Sequence, residues 1–212
     1  MADSKVSALT AVATPAGTDE FPVNQGGVSK KITLSQIGSY VDPLNNSSVA
    51  TTASGFAADT YLVGSSITVP VARLQAKTMY RVKFNINKTS SAGTATPILT
   101  IRMGTAGSTA DAARCALTFA AQTALPDEGF IEAFITFRTV GSGTSAVMQG
   151  VGTLAHRLSV TGLSTSATSV VKTTGAGFDS TVANTIIGAS FNGGASFAGT
   201  IDLVQAELFN LA

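Results

Sequence analysis

From Met79 to Asn87 the chain alternates without a lapse: Tyr80, Val82, Phe84 and Ile86 interleave with Arg81, Lys83, Asn85 and Asn87. Successive side chains of a β-strand point to opposite faces. One face of this stretch is therefore wholly apolar and the other wholly polar. That is the pattern of a half-buried strand in an antiparallel sheet with one face to solvent.

Strand patterns continue to the end of the chain. Residues 97–103 put Leu99, Ile101 and Met103 on one face, and residues 114–121 do the same with Cys115, Leu117 and Phe119. Residues 126–129 (Pro-Asp-Glu-Gly) read as a turn. Residues 130–138 are apolar on both faces, as in a central strand or a subunit interface. In the long strand 146–159, Gly150 and Gly152 predict a bulge or bend. A shorter strand covers 169–173. Strands 185–191 and 197–209 meet at Asn192-Gly193-Gly194, a hairpin signal. In the last strand Ile201, Leu203 and Gln205 alternate with Asp202, Val204 and Ala206. Short strands at 61–63 and 67–69 come earlier, and 71–75 is a helical turn or a loop. Eight or nine strands, with a turn about every ten residues and no long helical period, predict an all-β fold. The expected architecture is an antiparallel β-sandwich of jelly-roll type over residues 56–212.

Residues 1–42 read differently. A small-residue stretch carries Val6, Leu9 and Val12, and residues 15–19 form a turn cluster. Residues 20–24 are extended, with Pro22 restricting them to an edge. A turn at Gln25-Gly26-Gly27 leads into a returning strand, 28–32. Thr33 and Gln36 have capping-box spacing for a short helix whose apolar face is Leu34, Ile37 and Val41, ended by Pro43. A hairpin and two helical turns cannot own a core. This arm must pack on something else, through Leu9, Phe21, Val23, Val28, Ile32, Leu34 and Ile37. Residues 43–55 are polar and rich in turn formers, as in a linker.

Charged residues are only 12% of the chain, about half the usual quarter. The solvent face must be built from Ser, Thr, Gly, Asn and Ala, which suits close packing against copies or neighbours. On so charge-poor a surface Arg81 and Lys83 are candidate inter-subunit contacts, together with Phe130 and Phe134 of the two-faced strand. The 13 basic and 12 acidic residues form no run. Clustered Lys and Arg drive backbone binding, so no nucleic-acid partner is expected. No stretch has the length and apolarity of a membrane span, and the first residues lack a signal-peptide pattern. The single cysteine, Cys115, lies in an apolar strand and reads as buried packing in a chain made in a reducing compartment.

Chemistry-bearing patterns are sparse. His156 is the only histidine and reads as structural. Asp127 and Glu128 sit in the turn as solvated charge. Glu132, Asp202 and Glu207 lie on strands and could line a groove of the paired-carboxylate kind, but no spacing singles them out. No ligand cluster suggests a metal, no glycine pattern suggests a nucleotide, and no cofactor or enzymatic activity is expected. There is no tryptophan among the eleven Phe and three Tyr, which weakens the case for a sugar-binding platform. Tyr61 and Tyr80 read as core or rim.

The opening carries one specific resemblance. Lys5-Val6-Ser7-Ala8-Leu9, then Gly17-Thr18-Asp19-Glu20-Phe21-Pro22-Val23, then Gly26-Gly27-Val28-Ser29-Lys30-Lys31-Ile32-Thr33 resembles a short N-terminal module of tailed-bacteriophage structural proteins of the tail-fibre, head-fibre and minor-structural kinds. It covers about a fifth of the chain. More loosely, Ile101-Arg102-Met103-Gly104-Thr105-Ala106-Gly107 and Leu203-Val204-Gln205-Ala206-Glu207-Leu208 look like the β-rich domain often joined to it. The resemblance implies a non-enzymatic virion component, assembled in the bacterial cytoplasm. It would be anchored through its arm to a tail, portal-proximal or capsid protein, and would display the sandwich as a homotrimer. The alternative is a receptor- or glycan-binding module for a host surface, with loops 90–96 and 104–113 as its binding face.

Overall fold

The computed structural model describes residues 20–25, 27–33, 44–47, 51–53 and 56–212. The chain divides into two compact units, 1–41 and 42–212. Leu9, Leu34, Ile37 and the helix expected after Thr33 lie outside the described residues.

In the first unit β1 (Glu20–Gln25) pairs antiparallel with β2 (Val28–Thr33). Gln25 faces Val28, so the ribbon reverses between them, and Gly27 takes a φ of +80° that a side chain disfavours. Pro22 is tolerated because a ribbon strand has only one partner. Phe21 faces Ile32 and Val23 faces Lys30, so Phe21, Val23, Val28 and Ile32 share one face. On the other face Lys31 reaches Glu20 at 2.5 Å.

The second unit holds β3 (Leu44–Ser47), β4 (Thr51–Ala53), β5 (Thr60–Tyr61), β6 (Ile67–Thr68), β7 (Met79–Ser90), β8 (Ile98–Gly104), β9 (Ala112–Thr118), β10 (Asp127–Thr139), β11 (Val147–His156), β12 (Thr168–Thr174), β13 (Ile186–Asn192) and β14 (Ala198–Phe209). A single 3₁₀ turn, Val71–Arg73, precedes β7. One sheet runs β12-β11-β10-β7-β14-β3, with β4 also on β14. The other runs β5-β13-β8-β9, with β6 also on β13. The pairings are nested: β3 and β4 with β14, β5 and β6 with β13, β7 with β10, β8 with β9. First pairs with last, and so inward, which is jelly-roll connectivity. The hairpin β11–β12 follows β10 and widens the first sheet.

Tyr80, Val82, Phe84 and Ile86 are fully buried, in one core with Leu99, Ile101, Leu117, Ile135, Phe191 and Leu208. Four phenylalanines, Phe56, Phe84, Phe191 and Phe197, meet edge to face with centroids 5.8 to 6.3 Å apart, the arrangement their quadrupoles favour. Tyr80 keeps its hydroxyl satisfied by donating to the Ser65 carbonyl at 2.7 Å, and burial pushes its phenol up.

Five local expectations change. The stretch 43–55 is not simply a linker, because β3 and β4 lie along β14. Backbone pairing at a sheet edge does not need apolar side chains. Asp127 opens β10 instead of lying in a turn. Residues 192–194 do not close a hairpin: β13 and β14 belong to different sheets, so this turn carries the chain across the sandwich. Gly150 and Gly152 lie in a regular ladder. A Cβ on Gly150 would meet Cys115 Sγ at 2.7 Å and Ile135 at 2.8 Å, and one on Gly152 would meet Leu117 at 2.9 Å. These glycines make room for the facing sheet. Finally, β14 shifts register between Asp202 and Gln205, so Leu203 and Val204 together oppose Phe84. Leu203 takes a φ of +49° and stays exposed while Val204 is buried, the geometry of a bulge with a left-handed first residue.

Candidate functional site

The alternation that buries Tyr80, Val82, Phe84 and Ile86 sends Arg81, Lys83, Asn85 and Asn87 to the outer face of the larger sheet. Register brings the four expected contact residues together there. Arg81 lies between Glu207 on β14 and Phe134 on β10, and Lys83 between Gln205 and Glu132. Glu132 turns from Lys83 to Arg81, accepting from Nε at 2.8 Å and Nη2 at 2.5 Å, while Glu207 lies 3.5 Å from Nη1. The hydrogen bonds to Glu132 raise the guanidinium pKa. The same guanidinium lies 5.5 Å from the Phe134 ring centre, and Lys83 Nζ 5.3 Å from that of Phe130. Each such cation–ring contact is worth about 0.5–1 kcal/mol at an exposed site. Around them Leu44, Phe134, Val151 and Val170 remain open to solvent.

At the other end of β7 the same face forms a groove of about 550 Å³, bordered by Asn85, Asn87, Glu128, Phe130, Arg157 and Asp202. Asn85 faces Asp202 on one side and Phe130 on the other. Arg157 reaches Glu128 at 3.7 Å. The side chains of Asn85, Asn87 and Asp202 have no partner among the described residues.

Beneath this groove lies a buried ionic centre. The His156 imidazole and the Asp127 carboxylate are fully buried, with Nδ1 and Oδ2 2.6 Å apart. His156 Nε2 lies 2.8 Å from the Ser166 carbonyl. Both ring nitrogens thus lie within hydrogen-bond distance of an oxygen. Asp127 also accepts from the amides of Glu128, Leu158 and Leu163. Lys88, buried on the apolar side of β7, donates to the carbonyls of Thr123 and Gly162. Burial pulls its pKa down to about 8, opposed by the nearby Asp127 charge. Lys88, Asp127 and His156 together pin loop 157–166 against β7, β10 and β11.

The other candidates separate. Glu132 and Glu207 both contact Arg81, whereas Asp202 lies at the groove. Loop 104–111 is closed on itself: Asp111 accepts from the amides of Ala106 and Gly107 at 3.0 and 2.7 Å, and Arg102 donates to the carbonyls of Thr109 and Asp111. Asp111 and Arg102 are thus committed within the loop, and the groove on the outer face of the larger sheet includes no residue of loops 90–96 or 104–113. Cys115 is buried, and burial raises its thiol to about 11. In the first unit Phe21, Val23 and Val28 are exposed on one face of the hairpin, which they share with Lys30 and the half-buried Ile32. Among the described residues no group of three or more His, Cys, Asp or Glu could hold a metal, and no helix is long and apolar enough to cross a membrane.

Sequence reasoning placed Asn85 and Asn87 on the polar face without marking them as a site. It overlooked Lys88, although Lys88 shares the parity of Tyr80 and Ile86 and so points inward. The Asp127–His156 pair could not be foreseen, since 29 residues separate its members. Scanned against protein-family models and searched against curated proteins, the chain matches none.

Proposed function

We propose that this chain is a non-enzymatic structural component of a bacteriophage particle, a short fibre-like or decoration protein. Residues 1–42 anchor it to another virion protein, and the sandwich is the part displayed. The observation that carries this reading is the hairpin β1–β2. It forms a unit of its own with Phe21, Val23 and Val28 exposed on one face, in the stretch that resembles the attachment module of phage structural proteins. A ribbon this small is marginal alone, and covering that face supplies the missing apolar burial. Within the proposed homotrimer, Arg81 and Phe134 belong to the subunit contact, where ion pairs, a cation–ring contact and open apolar side chains lie side by side; Lys83 and Phe130 lie on the groove side of that contact.

The test is incorporation into particles. Phe21→Asp combined with Val23→Asp should leave the sandwich folded by circular dichroism and remove the protein from purified particles. Deleting residues 1–42 should do the same. Incorporation at normal copy number by either variant would sink the anchoring role.

A further inference from the structure

We propose that the outer-face groove at the Asn85–Asn87 end of β7 is a binding site for a neutral saccharide. This goes beyond the particle role and does not depend on it. The volume of about 550 Å³ falls in the range of small-ligand sites, about 300–1,000 Å³. Its polar groups are of the right kind and are free. Two primary amides, Asn85 and Asn87, each offer donors and an acceptor, and the Asp202 carboxylate offers acceptors. None of the three has a side-chain partner among the described residues. Sugar hydroxyls donate and accept at once, so this set matches them. Phe130 supplies an apolar wall for the C–H side of a pyranose, with Lys83 Nζ 5.3 Å from its ring centre.

Charge decides against other ligands. Arg157 lies 3.7 Å from Glu128 and Asp202 adds a second carboxylate, so two carboxylates border the groove against one guanidinium, which gives a phosphate or an acidic sugar no net attraction. A single free carboxylate with two amides is too little for a tight cation site. The floor is also rigid before any ligand arrives. Ala155, His156 and Gly129 line it, and the fully buried His156–Asp127 pair lies directly beneath. A Cβ on Gly129 would meet His156 and Leu163 at 2.9 Å, so β10 and β11 are locked together there. A preformed site loses little to ordering on binding.

The experiment is saturation-transfer NMR on the full chain with glucose, galactose, mannose, rhamnose, N-acetylglucosamine, maltose and lactose, with glucuronic acid as the charged counterpart. At least one neutral sugar should show transfer, and glucuronic acid less than glucose. A binding sugar should be tested both free and as an oligosaccharide, to separate recognition of a single ring from recognition of a chain. Asn85→Ala and Asp202→Ala should each weaken the response by about tenfold, the loss of one or two hydrogen bonds. Gln149→Ala, at the far end of β11, should leave it unchanged. Shift changes in a ¹⁵N spectrum should centre on the side-chain amides of Asn85 and Asn87. No transfer from any neutral sugar, undiminished transfer in both groove variants, or shifts centred elsewhere would overturn the assignment. Incorporation into particles is a separate readout, so either proposal can fail alone.

Discussion

Lys88 is where burial and charge meet most directly. Its pKa falls from 10.5 to about 8 in the folded protein. Below pH 8 both states are protonated, and the cost of burying the charge weighs fully on the native state. Between pH 8 and 10.5 the native lysine releases its proton while the unfolded one keeps it, so stability rises with pH, by about 3 kcal/mol in all. Cys115 acts the other way, since its thiol is raised from 9.0 to about 11 and its contribution is lost across that window. The comparison that isolates the lysine is therefore wild type against Lys88→Met by urea unfolding, and the gap between them should change across pH 8 to 10.5. A constant gap would mean the lysine is not buried as described. Leu203 offers a second test at this scale. A left-handed conformation costs a residue with a Cβ about 1–2 kcal/mol, and Leu203 is 49% exposed. Leu203→Gly is expected to stabilise the domain by about 0.5 kcal/mol or more after the glycine entropy cost; clear destabilisation in urea would show that the leucine packs more than its exposure implies.

At the scale of elements the decisive edge is that of β14. Removing residues 1–41 should leave a domain that unfolds cooperatively at nearly the full-chain denaturant midpoint. Removing 1–55 strips β3 and β4 from β14 and should lower that midpoint and promote aggregation through the bared strand. Equal midpoints would restore the linker reading. This edge also shows which features the sequence could reveal. Strands with a strict period of two, such as β7 and β9, were legible because one face is buried and the other is not. Asn45 is held by backbone pairing with β14 and by its side-chain amide donating to the Ser66 carbonyl, and neither leaves a hydrophobic trace. Gly150 and Gly152 were legible as glycines but not as spacers, because the side chains filling their space, Cys115 and Leu117, come from the other sheet. The Asn192–Gly194 turn failed for a related reason: a turn signal marks a reversal without saying which sheet receives the next strand. For the site, the polar parity of Arg81 to Asn87 was visible, while the groove needed Asp202 and Arg157 brought in from distant strands.

For the molecule as a whole, a charge-poor chain presents one face where its few charges and several open apolar groups concentrate. If that face joins subunits, Phe134→Glu with Val151→Lys should convert a sedimenting oligomer to monomer without changing its circular dichroism; an unchanged sedimentation coefficient would assign the contact elsewhere. The nested pairing has a consequence of another kind, in time. The partners of β3 and β4 lie on β14, more than 140 residues later: Ala53 faces Gly199, and Asn45 faces Ala206. Closing so large a loop costs entropy before any contact repays it, and topologies of this kind fold slowly. Among the described strands, the one that joins β7 to β3 is also the last to be synthesised. During translation the larger sheet must wait with the β7 edge unpaired, exposed to neighbouring nascent chains, until residues 198–209 emerge. Synthesis, not the core, thus sets the interval in which this protein is most vulnerable to misassembly.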